Sequence, residues 1–168
     1  MILERILFKH ATKNVYLLAD AYDGANIKNC IEDFLLASNG QNPETALHGK
    51  TLLKFGGNSN LIAYCGHNGL MEFSVDLKYV QPKSKKEVII LACYSKEYFQ
   101  KELKANQSEP LVWTTHLMAP ETYTLKAAID GWLNNETNLQ IEERAAQAYH
   151  KYQKCGIKGA RQLITTGF

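Results

Sequence analysis

Two apolar runs of this chain each end in a residue that can do covalent chemistry. Leu61-Ile62-Ala63-Tyr64-Cys65 leads into Gly66-His67-Asn68-Gly69, and Val88-Ile89-Ile90-Leu91-Ala92 leads into Cys93-Tyr94-Ser95. A cysteine attacks as its thiolate, and a histidine takes the thiol proton and returns it to a leaving group. If the two runs are neighbouring parallel strands, His67 and Cys93 emerge side by side at one sheet edge. A thiolate is stabilised beside an imidazolium or at a helix N-terminus, and Cys93 is placed for both if a helix follows it closely. The tetrahedral intermediate of acyl transfer needs donors for its oxyanion. The backbone N–H groups of Cys93 and of the Gly66–Gly69 turn, Asn68 among them, are the candidates.

Other strand ends carry further polar residues. Val15-Tyr16-Leu17-Leu18-Ala19 is followed by Asp20 and Asp23, and Leu111 to Thr115 brings Thr114, Thr115 and His116. Asp20, Asp23, Thr115 and His116 are candidate substrate contacts, although Asp-x-x-Asp-Gly is also ordinary turn chemistry. Taken singly, Cys93 has a simpler reading as a core thiol and His67 as a turn histidine. The four cysteines, at 30, 65, 93 and 155, form no Cys-x-x-Cys pair and no zinc spacing, so no metal and no cofactor is expected. Cys30 falls on the apolar stripe of a helix and Cys65 within a strand, so both read as core. Cys155 sits at a frayed helix end.

The elements that must position these residues follow from periodicity. Val15–Ala19, Leu61–Cys65, Val88–Ala92 and Leu111–Thr115 read as buried strands. Ile27, Cys30, Ile31, Phe34 and Leu35 share one helical face, and Ser38-Asn39-Gly40 ends that helix. Asn42-Pro43-Glu44 predicts a helix start. Residues 70–80 read as a short strand pair or an irregular crossover. Further helices are expected over 97–104, from Pro120 to about Leu133, and over 141–154. Such alternation predicts an α/β fold with a mostly parallel central sheet, helices on both faces, and function gathered at the carboxyl ends of the strands.

At 168 residues the chain suits a single domain, 1–168, able to bury a substantial core. With 19 basic and 17 acidic residues the net charge is only +2, which gives no reason to expect nucleic acid. Lys83-Ser84-Lys85-Lys86 reads as a solvated turn rather than a binding patch. The first ten residues place charges within their apolar stretch and lack an h-region, and no run is long enough to span a bilayer. A cytoplasmic protein without membrane partners is therefore expected.

Apolar strand, Gly-His with a nearby Gly, apolar strand and Ala-Cys, in that order, resembles the caspase-like cysteine peptidases, among them caspases, metacaspases, legumain, gingipains, separase and clostripain. Leu61–Gly69 resembles their histidine block and Val88–Ser95 their cysteine block. The resemblance covers about residues 14–134 and implies a three-layer caspase-like sandwich. It also implies a cysteine endopeptidase with Cys93 as nucleophile and His67 as general acid/base, acting on peptide or protein substrates. Asp20 and Asp23 lie where such enzymes build a specificity pocket, which would favour a basic residue before the scissile bond. Processing or a homodimer is a further implication. The chain departs from the family in three places. Asn68 follows His67 where glycine is usual, Leu91 replaces an acidic residue found in some members, and no strand is evident between Gln41 and Asn60. The alternative is a catalytically inactive module of the same architecture that binds a protein partner. An unrelated α/β hydrolase or transferase is disfavoured by the lack of Gly-x-Ser-x-Gly, Gly-x-Gly-x-x-Gly or a phosphate-binding loop.

Overall fold

Strand β6 (Glu87–Leu91) runs through the centre of a four-stranded sheet and explains most of the architecture. Val88, Ile89, Ile90 and Leu91 are all fully buried, so this strand must be covered on both faces. It pairs in parallel with β5 (Leu61–Cys65) on one side and β7 (Glu109–Thr114) on the other. A short antiparallel strand, β8 (Ile164–Thr165), completes the order β5-β6-β7-β8. The molecule, a computed structural model describing residues 1–168, is thus α/β with a mixed, mostly parallel sheet.

Alternation along β6 sorts its side chains between two cores. Val88 and Ile90 join Trp113, Tyr64, Phe99 and Leu103, together with Ile31, Phe34 and Leu35 of helix α1 (Ile27–Ser38). Phe99 and Leu103 come from helix α2 (Ser95–Asn106). Ile89 and Leu91 join the other core, built with Ala128 of α3 (Thr122–Leu133), Ile141, Ala145 and Tyr149 of α4 (Asn138–Gln153), and Ala160 and Leu163 of α5 (Ile157–Leu163). Local signals fix the helix ends. Gly40, at φ 87°, turns the chain after α1. Thr137 and Gln140 form a reciprocal capping box that starts α4.

Two expectations fail in the first third of the chain. Val15–Ala19 does not enter the main sheet. It belongs to β2 (Tyr16–Tyr22), which pairs antiparallel with β1 (Ile2–Lys9) in a separate two-stranded sheet. No residue of β2 is fully buried, which suits a hairpin rather than a strand covered on both faces. Asn42-Pro43-Glu44 starts no helix. Pro43–His48 is β3, paired antiparallel with β4 (Thr51–Gly56) around Gly49-Lys50. Gly49 has φ 61°, the left-handed conformation that a tight two-residue hairpin loop requires. The β3–β4 hairpin supplies strands between Gln41 and Asn60, but off the main sheet. Beyond the 3-10 turn at Gly69–Met71, residues 72–86 contain no strand, which selects the irregular crossover over the strand pair.

The hairpins are tied to the body through polar contacts. Lys13 Nζ donates to the Leu133 carbonyl at 2.8 Å and to Asn134 Oδ1 at 2.9 Å, capping the C-terminal end of α3. The Tyr22 hydroxyl donates to Asp33 on α1 at 2.8 Å. No helix of the structure is long and apolar enough to cross a membrane.

Candidate active site

The parallel register pairs Cys65 with Leu91, so the turn bearing His67 and the turn bearing Cys93 leave adjacent strands at the same sheet edge. Backbone and side-chain contacts hold the two turns together there. The Gly66 N–H donates to the Leu91 carbonyl at 3.1 Å. Asn68 Nδ2 donates to the Cys93 carbonyl at 2.6 Å, while Asn68 Oδ1 accepts from the Leu70 N–H at 3.1 Å. The Asn68 side chain is fully buried and makes good bonds at both ends, so it staples the histidine turn to the cysteine turn. The Tyr64 hydroxyl donates to the His67 carbonyl at 2.6 Å. A Cβ at Gly69 would stand 2.6 Å from the Phe73 ring and 3.2 Å from Ile31 Cδ1, so a larger residue there must push the Phe73 ring aside.

Cys93 occupies a sharp passage from strand to helix. Tyr94, next in sequence, has φ 49° and ψ 33° and is the N-cap of α2. A non-glycine residue in that region stores about 1–3 kcal/mol, and such residues concentrate at functional sites. The Tyr94 N–H donates to the His116 carbonyl at 2.9 Å, which ties the passage to the end of β7. Beneath it lies a closed polar network. Ser95 Oγ donates to the Ile90 carbonyl at 2.9 Å and accepts from the Thr114 N–H at 2.8 Å. Thr114 Oγ1 accepts from the Ser95 N–H at 3.3 Å and donates to the Ala92 carbonyl. Both side chains are fully buried, and this network fixes where α2 begins relative to the strands.

The sulfur itself meets the strap that follows β7. The Met118 N–H points at Cys93 Sγ from 3.4 Å, and Cys93 Sγ lies 3.5 Å from the Met118 carbonyl oxygen. Cys65 Sγ donates to the Pro120 carbonyl at 3.2 Å, and the Ala119 N–H donates to the Tyr149 hydroxyl at 3.1 Å. A single segment, Met118–Pro120, therefore passes over both strand-end thiols and is anchored on α4. His67 Nε2 pairs with Glu72 Oε1 at 2.7 Å, and neither ring nitrogen is hydrogen-bonded to the sulfur. In unliganded sites such bonds are often long and tighten only with substrate.

The backbone N–H groups of Cys93, His67 and Asn68 make no hydrogen bond within the chain. Asn68 is fully buried, so its N–H does not reach a bound group in this conformation, whereas Cys93 is half-buried. The substrate-contact candidates fare unevenly. His116 is exposed, with its ring 6.0 Å from that of Tyr94. Thr115 is committed locally: its hydroxyl lies 2.7 Å from the Gln162 carbonyl and 2.7 Å from His116 Nδ1. Asp20 is clasped by Arg5, at 2.5 Å from Nε and 2.7 Å from Nη2, and Arg5 also meets Glu44 at 2.6 Å. Asp23 caps a 3-10 turn by accepting from the Ala25 N–H at 2.9 Å. Both carboxylates belong to the hairpin region rather than to the main sheet edge. The edge thus gathers three of the four expected groups: His67, Cys93 and the Thr114–His116 segment.

The other thiols differ from Cys93 in their surroundings. Burial first, then Asp33 and Asp20, pushes Cys30 up to about 11. Cys65, expected in the core, is exposed as a residue, yet its sulfur sits under Pro120; burial and then Glu121 raise its pKa. Cys155 is exposed. No three His, Cys, Asp or Glu side chains converge as metal ligands would. Sequence reading missed Glu72, Met118 and Tyr149. Glu72 lies only five residues beyond His67, but its approach depends on the 3-10 turn between them. Met118 and Tyr149 are brought in by a strap and a distant helix, which leave no local pattern. Compared with known proteins, the chain matches no family model, no curated protein and no solved structure.

Proposed function

We propose that the chain is a cysteine-dependent acyl-transfer enzyme of caspase-like architecture, an endopeptidase with Cys93 as nucleophile and His67 as general acid/base. The observation that carries this reading is the Asn68 staple. A fully buried side chain joins the turn bearing the histidine to the turn bearing the cysteine, at the carboxyl ends of adjacent parallel strands. Support comes also from the strained passage at Tyr94, the start of α2 at Ser95, and the uncommitted N–H group of Cys93.

In the proposed reaction His67 removes the thiol proton, and the sulfur attacks the scissile carbonyl carbon. The carbonyl electron pair moves onto oxygen, where the Cys93 N–H receives it. Collapse breaks the C–N bond, the imidazolium gives its proton to the departing amine, and a thioester remains. Water, deprotonated by His67, then attacks the thioester, releasing the carboxylic acid and restoring the thiol. Met118 occupies the space before the sulfur, so substrate must displace or reshape the strap. Asp20 confers no preference for a basic residue in this scheme, because Arg5 balances its charge.

A second reading, a binding module of the same architecture without catalysis, is favoured by one fact: the sulfur is contacted by Met118 and not by His67. Incubation with a mixed peptide library, followed by mass spectrometry, separates the two. The enzyme reading requires cleavage, or a thioester trapped on Cys93, that is lost in Cys93→Ala. No cleavage and no adduct, at any concentration of chain, would favour the binding module.

A further inference from the structure

We propose that Glu72 is the positioning residue of the Cys93–His67 pair, accepting the Nε2 proton of His67 and leaving Nδ1 as the nitrogen that serves the thiol. This rests on the dyad reading above. A neutral imidazole carries one N–H, so the partner of one nitrogen fixes the role of the other. Glu72 Oε1 is 2.7 Å from Nε2, a distance at which the carboxylate accepts the ring proton.

The pairing is built into the turn. The Met71 N–H donates to the Asn68 carbonyl at 3.2 Å, and the N–H groups of Glu72 and Phe73 converge on the Gly69 carbonyl at 2.9 and 3.0 Å. Asn68 caps that turn and grips the Cys93 carbonyl with the same side chain. The carboxylate is therefore held in register with the nucleophile through one residue. The pair is solvent-exposed, 57% on His67 and 61% on Glu72, and contributes little to folding. Its effect falls on the orientation and tautomer of the ring.

The test uses the whole chain with 15N-labelled histidine. Ring-nitrogen shifts of His67 and the rate of Cys93 carboxamidomethylation by iodoacetamide are measured in the native chain, Glu72→Gln, Glu72→Ala and His67→Ala. In the native chain the neutral His67 ring is expected to carry its proton on Nε2. Glu72→Ala should redistribute the proton between the nitrogens and slow the reaction about tenfold, a part of the effect of general acid–base assistance. Glu72→Gln should recover much of both, since its amide oxygen still accepts from the ring. A native tautomer and native rate in Glu72→Ala, with His67→Ala slow, would overturn the role of Glu72 and leave the dyad standing. A native rate in His67→Ala would overturn the dyad and this proposal with it.

Discussion

The Asn68 side chain performs a task that no smaller residue at this position can. It spans from the Leu70 N–H to the Cys93 carbonyl while fully buried. Asn68→Ala leaves the Cys93 carbonyl without that donor, and we expect a loss of about 1–3 kcal/mol in urea denaturation. Asn68→Gly should cost at least as much, because it removes the staple and also frees the backbone of the turn. Either change should also slow alkylation of Cys93 by freeing the histidine turn. The sequence makes His67 and Cys93 visible as candidates because each ends an apolar run. It does not reveal what Asn68 does, because the bond partner of that side chain lies 25 residues away.

Between elements, the strap after β7 and the clamp on α5 are the features most open to measurement. Tyr149 holds the strap by accepting from the Ala119 N–H, and its ring is buried in the core of α3–α5. Tyr149→Phe keeps the ring and removes the acceptor. A bond of that kind contributes about 1 kcal/mol, so strap opening should rise about fivefold. Faster amide exchange at Ala119 and faster alkylation of Cys93 would both report it. On α5, Arg161 pairs with Glu143 of α4 at 2.6 Å. The Arg161 hydrogen bonds, with help from Gln147, hold the Glu143 carboxyl down at about 2. A depressed carboxylate adds stability that is complete above its unfolded pKa and fades as pH falls through the folded one. Arg161→Ala should therefore lower the melting temperature at pH 7 but cost little near pH 2. An equal cost at both would contradict the pairing. The sequence shows α1, α2, α3 and α4 by periodicity and caps. It also shows most of β2 as a strand, but β1, β3 and β4 escape it because they are largely exposed, and Pro43 is as acceptable at a strand start as at a helix start.

At the scale of the molecule, β6 is the axis on which both cores and the site depend. Ile90 faces the α1–α2 core and Leu91 the α3–α5 core. Ile90→Ala and Leu91→Ala should each cost about 2–5 kcal/mol in equilibrium denaturation, as cavities in well-packed cores do. A strand covered on one face only would show this for one of the two. The strong β-branched run over Val88–Ile90 made this strand legible, and its two neighbours followed from similar runs. The fourth place in the sheet went to β8 because Trp113 and Thr114 pair with Thr165 and Ile164, a contact that two residues near the chain's end cannot advertise.

Comparative alkylation decides whether Cys93 is an activated thiol served by His67. Burial keeps Cys30 and Cys65 protonated at neutral pH, so both should label slowly. Site-resolved iodoacetamide labelling at pH 7, in a Cys155→Ser background, should find Cys93 reacting fastest and should find His67→Ala at least about tenfold slower at that site. Labelling of Cys93 no faster than Cys30 and Cys65, or unchanged by His67→Ala, would contradict it.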